Sequence, residues 1–305
     1  MTQRTAEDFI SKVNSHWSSD RLKKFTAGHK YLLLPTSAPL LLKTLGIMNN
    51  DATISADAMR KFIQVNHLIA QFRPFLEDLN ERQKIVNILD AGCGSSVLSF
   101  VLAWCYENMW KHPSYMVGID SNVKLIEKNI KNFNDLKIKG EMNFAQSAIS
   151  DFDWKTFSKD EKGRLHAVIA LHACDTATDD AISLGIREKA DFIAVAPCCQ
   201  AELASYWKKD GTAMKDHALT PLFHNPHLRR EMAAHTTDMI RVLVLRGHGY
   251  EVTTTEFTMS HATPKNTLIL AVRRGNYHKE SQRELDEFLK WNGGFEISLN
   301  KKVPF

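Results

Sequence analysis

The stretch that most constrains this chain is Val86-Asn87-Ile88-Leu89-Asp90-Ala91-Gly92-Cys93-Gly94-Ser95-Ser96. A short apolar run, Ile85 to Leu89, ends in an acid and two glycines, and an apolar helical pattern follows from Val97 to Asn108. A run of that length bounded by turn residues reads as a buried strand. Glycine lets the backbone turn sharply and approach a ligand with no Cβ in the way. A strand, a glycine turn and a helix in that order point to an open parallel sheet, in which ligands bind beyond the carboxyl ends of the strands.

The same rhythm recurs downstream. Tyr115 to Ile119 reads as a strand ending at Asp120, Asn122 to Phe133 as an amphipathic helix and Met142 to Gln146 as a third strand. Ala167 to Leu171 and Phe192 to Ala196 are further strands, with a helix from Asp179 to Arg187 between them. Thr237 to Leu245 reads as a helix stopped by Gly247-His248-Gly249. Tyr250 to Phe257 and Thr267 to Val272 alternate like strands, and their short connection predicts an antiparallel pair. Glu280 to Trp291 reads as a last helix.

The residues before the first strand are helical in pattern. The clearest helix is Ala56 to Leu79, with Ser55 as its cap. Phe62, Val65, Ile69, Phe72 and Leu76 fall on one face, and Arg60, Gln64, His67 and Gln71 form a polar stripe. Pro74 is expected to kink this helix or end it early.

Hydrophobic residues make up 44% and charged residues 24% of the 305, the balance of a globular domain with a core to bury. No apolar run is long enough to span a bilayer, and Met1 to Asp8 has no signal-peptide core, so a cytoplasmic location and no membrane partner are expected. The five cysteines include the adjacent Cys198 and Cys199, which argues against a disulfide framework. A net charge of +4 permits a nucleic-acid partner without demanding one.

The glycine loop is more like the S-adenosylmethionine (SAM) loop of methyltransferases than a dinucleotide loop, because Asp90 precedes it and a third glycine is missing. On this reading Asp90, Ala91, Gly92, Cys93 and Gly94 hold SAM. Asp120, one strand–helix unit later, accepts the ribose hydroxyls. Ser121 and Asn122 line the adenine, which Gln146 or Ser147 brackets from the third strand. Leu171 and the helical Gln64 complete the expected cofactor set.

Two more segments end at the same sheet edge: Leu171-His172-Ala173-Cys174-Asp175-Thr176-Ala177-Thr178-Asp179 and Pro197-Cys198-Cys199-Gln200. With the glycine loop and Thr263-Pro264-Lys265-Asn266-Thr267, they make the chain resemble a class I methyltransferase family from about Ser55 to Arg274. That family includes tRNA acceptor-stem ribose methyltransferases and the methyltransferase domain of glutathione S-transferase C-terminal-domain-containing proteins. The resemblance implies an α/β, Rossmann-like class I methyltransferase sheet, with parallel strands plus an antiparallel terminal pair and a helical N-terminal extension. It implies SAM as cofactor. In the tRNA enzymes histidines follow the cysteine pair where this chain has Gln200-Ala201, so the acceptor stays open.

Residues 1–84 are then an extension expected to bind substrate and cap the cofactor. Residues 85–275 are the SAM-dependent methyltransferase domain with an insertion at 201–235, and 276–305 are a helical tail. His172, Asp175, Cys198, Cys199 and Gln200 are the expected catalytic group. His172 or Asp175 serves as base, or Asp175 and Thr176 simply cap the next helix. The cysteine pair has three possible roles: thiolate attack on a pyrimidine, zinc binding with His172 and Cys174, or packing and positioning at a crowded strand end. Packing is the favoured role, and no metal is expected. RNA, ribosomal or transfer, is the expected acceptor. The alternatives are a small molecule, a protein side chain, or a non-catalytic SAM- or RNA-binding module. The insertion interleaves Tyr206, Trp207, Lys208, Lys209, Lys215, His217, His224, His227, Arg229 and Arg230, which suits base stacking and phosphate contact. Arg21, Lys23, Lys24, His29 and Lys30 form a second basic stretch.

Overall fold

A computed structural model describes residues 3–136, 138–158, 163–171, 173, 175–198, 201–209, 220–256, 266–275 and 277–304. Four helices come first: α1 (Gln3–His16), α2 (Ser19–Thr26), α3 (Pro39–Thr44) and α4 (Ala56–Arg82). The sheet region then runs β1 (Val86–Ala91), α5 (Val97–Cys105), β2 (Ser114–Asp120), α6 (Val123–Leu136), β3 (Glu141–Gln146), β4 (Ala167–Ala170), α7 (Thr176–Arg187) and β5 (Phe192–Val195). It closes with α8 (Glu202–Lys209), α9 (Thr220–His224), α10 (Pro226–Gly247), β6 (Tyr250–Glu256) and β7 (Thr267–Arg273), followed by α11 (Lys279–Trp291) and α12 (Ser298–Lys302).

The seven strands form one sheet in the order β3-β2-β1-β4-β5-β7-β6. β1 to β5 pair in parallel, and β7 slots between β5 and β6, antiparallel to both. This is the sheet expected from the sequence, parallel strands with an antiparallel pair at the end. β1, β4 and β5 are buried along their whole length, as strands covered on both faces must be. Alternate residues feed two cores. Ile88, Met116, Ile169, Ala194 and Leu270 pack against α1 and α3 to α5, whereas Leu89, Val117, Val168, Ile193 and Ile269 pack against α7, α10 and the C-terminal helices. The helices before β1 thus share a core with the sheet.

α4 is the long beam of this first core. Phe62, Val65, Leu68, Ile69, Phe72, Leu76 and Leu79 are buried along it. Ser55 caps it as expected, accepting from the Ala58 amide. Near its start Phe62 meets Phe25 and Tyr31 edge-on, each at 5.1 Å. The buried Asn66 amide exchanges hydrogen bonds with the Leu33 backbone and so pins the α2–α3 connection. Further along, Phe75 stacks on Phe192 of β5 at 4.9 Å. His67 and Gln71 of the polar stripe reach the Glu256 carbonyl at the end of β6.

Three sequence expectations are corrected here. α4 does not end at Pro74 but continues to Arg82. Pro74 and Ala70, whose carbonyl loses its amide partner, are both exposed, so water can solvate the orphaned oxygen while the buried stripe runs on. Within the region 201–235 the described residues include α8, α9 and the start of α10. α10 begins eleven residues before the expected Thr237, at Pro226. Asn225 caps it by accepting from the His227 and Leu228 amides, and proline occupies the first turn. Trp207 is buried against Phe223 at 4.7 Å, and Tyr206 stacks on Phe295 at 4.3 Å. Trp207 is therefore not free to stack on a base, and one face of Tyr206 is occupied. Lys215 and His217 lie outside the described residues.

If Pro74 merely interrupts a continuous helix, Pro74→Ala restores one amide donor and removes a ring clash. The variant should be more stable in urea by about 1–3 kcal/mol, less the entropy that proline withholds from the unfolded chain. An unchanged or lower midpoint would mean that α4 needs the proline.

Candidate functional site

β1 delivers its last residues into a turn that only particular backbones can make. Gly92 has φ +74°, Gly94 φ +53° and Ser96 φ +52°. The Cys93 amide donates to the Ile119 carbonyl, and the Ser96 amide to the Cys93 carbonyl. From α6 the buried Asn129 amide donates to the Gly94 carbonyl at 2.8 Å and to Ser96 Oγ at 2.7 Å. On β2, Gly118 leaves room for Phe144, because a Cβ there would lie 2.8 Å from its ring. The loop is thus held from three sides.

Against this loop lies a cavity of about 240 Å³. Asp90, Gly92, Cys93, Gly94, Ser95, Val97 and Leu98 form one wall, Leu171 another, and Lys61, Gln64, Val65 and Leu68 of α4 the third. Of the expected cofactor residues, Asp90, Gly92, Cys93, Gly94, Leu171 and Gln64 line it. Ala91 is buried in the second core instead. The carboxylate of Asp120 braces the loop: Oδ2 accepts the Gly94 amide at 2.9 Å and Oδ1 the Asn122 amide at 2.8 Å. Each oxygen retains a lone pair for a further donor. Ser121 and Gln146 are joined at 3.3 Å, and the Ser147 amide donates to the Asp120 carbonyl. These residues stand at the neighbouring strand ends, beside the cavity rather than in its wall.

Asp90 is buried, and Ser99 Oγ donates to its Oδ2. Burial raises its pKa to about 6, against the Ser99 bond and with a smaller push from the Asp120 charge. Burial and the Asp90 charge also push the Cys93 thiol well above its usual range, so it is no nucleophile.

The end of β4 is anchored more heavily than a simple turn requires. Arg241 of α10 is fully buried and donates to Asp179 at 2.7 Å, Asp238 at 3.0 Å and the Asp175 carbonyl at 3.0 Å. Thr178 Oγ1 donates to the Ala173 carbonyl at 2.6 Å. Between these ties Asp175 is forced to φ +49° and ψ −112°, a conformation that costs a non-glycine residue on the order of 1–3 kcal/mol. Asp175 stands at the cap position of α7, but its side chain makes no capping bond. Its Oδ1 instead accepts the Ala201 amide at 3.2 Å, which joins the β4 and β5 ends. The capping role is therefore corrected to a bridging one. Cys198 is a half-buried thiol at the β5 end, outside any disulfide. His172, Cys174, Cys199 and Gln200 lie outside the described residues, among which no cluster of metal-ligating side chains occurs.

Sequence reasoning missed Arg241, Asn129, Gly118 and Lys61. Asn129 carried a signal, being three residues from Ile126 on the apolar side of an amphipathic helix. Lys61 carried a similar one, three residues before Gln64 on the same helical face. Arg241 carried none, since its partners are 62 residues away in Asp179 and one turn away in Asp238.

The cavity fits the adenosine-bearing cofactor implied by the fold. A Cβ added at Gly94 would meet no protein atom within 4 Å, so that edge of the loop is open to a ligand. A family model described as a methyltransferase domain matches residues 60–206. The chain is 26% identical over 233 residues to a mouse glutathione S-transferase C-terminal domain-containing protein, covering 70% of this chain and 33% of that one. It therefore spans about a third of that relative's length. Among solved structures, an S-adenosylhomocysteine-bound Podospora anserina methyltransferase matches with TM-score 0.44 and 9% identity over 90% of this chain and 97% of that one. An rRNA-methylase structure from Clostridium thermocellum matches with TM-score 0.39 and 14% identity over 67% and 96%.

Asp90 makes stability pH-dependent in a definite direction. Its pKa rises from 3.8 to about 6 on folding, so its contribution is fully present below pH 3.8 and is lost as pH rises through 6. That difference is worth about 3 kcal/mol. In urea titrations without ligand, the stability advantage of Asp90→Asn over wild type should grow from near zero at pH 4 to about 2–3 kcal/mol at pH 7.5. A pH-independent difference would show that Asp90 is not the buried acid described.

Proposed function

We propose that this chain is a class I SAM-dependent methyltransferase whose methyl acceptor is RNA, ribosomal or transfer. The observation that carries the reading is where the exposed basic stretch sits. Arg21, Lys23, Lys24, His29 and Lys30 are all exposed, on α2 and the turn after it. Phe25 of α2 packs on Phe62, and the preceding residue of α4, Lys61, lines the cavity. A polyanion lying on this stretch would pass close to the cofactor site. His224, His227 and Arg230 are also exposed, on α9 and the start of α10.

SAM supplies an activated methyl group, so the protein's task is chiefly alignment. In this reading Asp90, Gly92, Cys93, Gly94, Gln64 and Leu171 enclose the cofactor, while Asp120, Ser121, Gln146 and Ser147 hold its nucleoside end. Asp175, Cys198, His172, Cys199 and Gln200 form the acceptor side. Asp175 or His172 takes the proton from a neutral acceptor. The thiols position the acceptor, in keeping with Cys198 being half-buried beside a buried strand end. The work would be done in the cytoplasm; no helix among the described residues is long and apolar enough to cross a membrane.

Replacing Arg21, Lys23 and Lys24 together by alanine should weaken RNA binding and lower the log–log salt slope by about 2–3, as phosphate contacts are lost. Affinity for S-adenosylhomocysteine should not change. Mass spectrometry of RNA nucleosides from cells with and without the gene should reveal one missing methylated nucleoside. An unaltered salt slope together with an unaltered nucleoside profile would move the acceptor to a small molecule, a protein side chain, or none.

A further inference from the structure

Lys61 is an unusual lysine for a wall position. It projects from α4 into the lining of the cavity and is half-buried. One of its three donors is spent on the Leu45 carbonyl at the end of α3, at 2.7 Å. Among the described residues no carboxylate pairs with it. The nearby charge that acts on it is another cation, Lys128 of α6. Burial and then Lys128 both depress its pKa, so the charged form is held at a cost with no anion to offset it.

Asp90 is the acidic residue of the same lining and Lys61 the basic one, among the described residues. One fixed anion and one fixed cation in a small cavity that is otherwise apolar, amide, hydroxyl, thiol or glycine is the complement of a zwitterion. The methionine end of SAM is such a zwitterion, with an α-ammonium and an α-carboxylate. We propose that Lys61 recognises the α-carboxylate of SAM, so that the N-terminal extension supplies part of the cofactor's specificity. The proposal rests on the reading of the cavity as the SAM site. It gives the Leu45–Lys61 bond a purpose: cofactor and α3 carbonyl share one ammonium, which couples the extension to the loaded state. A carboxylate there would also relieve the repulsion between Lys61 and Lys128.

The test compares S-adenosylhomocysteine with its decarboxylated analogue, which keeps the ammonium, by calorimetry on wild type, Lys61→Gln and Lys61→Arg. Wild type should prefer the intact ligand by about 10–100-fold, the range of a charge-assisted hydrogen bond. Lys61→Gln should lose that preference by binding the intact ligand more weakly, while its affinity for the analogue stays within about threefold of wild type. Lys61→Arg, which keeps the charge, should retain most of the preference. Equal loss of both ligands in Lys61→Gln would show a structural role and overturn the proposal, as would an undiminished preference. A wild type that binds neither ligand would overturn the SAM reading of the cavity, and this proposal with it.

Discussion

The burial of α4 is the constraint on which the rest of the molecule depends. Its apolar stripe runs from Phe62 beside the cavity to Leu79 near the start of β1, and it meets the sheet through Phe72 and Phe75 on Phe192. Each large side chain buried on that stripe contributes about 1.5–3 kcal/mol. That is ample to hold a helix with a proline inside it. Because α4 cannot rotate without exposing this stripe, the residues on its adjoining faces have fixed destinations. Lys61, Gln64 and Val65 close the cavity, and His67 and Gln71 tie down the end of β6. The aromatic contacts from Phe62 to Phe25 and Tyr31 then carry α2 to the same place.

On the opposite face, electrostatics does what apolar packing does for α4. Arg241 is buried with two carboxylates and a backbone carbonyl, so removing the guanidinium would leave unpaired charge inside the protein, a loss of about 3–5 kcal/mol. Burial pushes the Asp179 pKa up while Arg241 opposes it, and the geometry of a 2.7 Å bond favours the ionised pair. The network holds Asp175 in its strained conformation and so fixes the backbone entering α7. A residue that spends its neighbours' binding energy on an unfavourable backbone angle is commonly found where chemistry needs a fixed group.

Much of this was legible in the chain. The strand–turn–helix rhythm gave the sheet, and the glycine loop with its preceding Asp90 gave the cavity wall. Gln64, on the polar stripe of α4, lines that cavity. Boundaries slipped where a local signal competed with tertiary packing. Pro74 reads as a stop, but the buried stripe continues past it. Tyr206 and Trp207 read as a stacking surface because composition cannot tell a ring facing solvent from one packed on Phe295 or Phe223. Asp120 was found as a strand-end acid, but its bonds to the Gly94 and Asn122 amides depend on how the loop folds back over β2. Arg241 was out of reach, since nothing in α10 announces which charge will be buried.

The central claim is that the cavity between the β1 loop and α4 is where the cofactor binds. Calorimetry of S-adenosylhomocysteine with wild type and Gly94→Val tests it most directly. Gly94 sits at φ +53° with open space where its side chain would be, so valine strains the loop and fills that space. Wild type should bind in the low-micromolar range or tighter. The variant should keep the wild-type far-ultraviolet spectrum while losing affinity by about 100-fold or more, or about 2.7 kcal/mol. A folded Gly94→Val protein that binds the ligand as wild type does would contradict the claim and leave the glycine loop as no more than a turn.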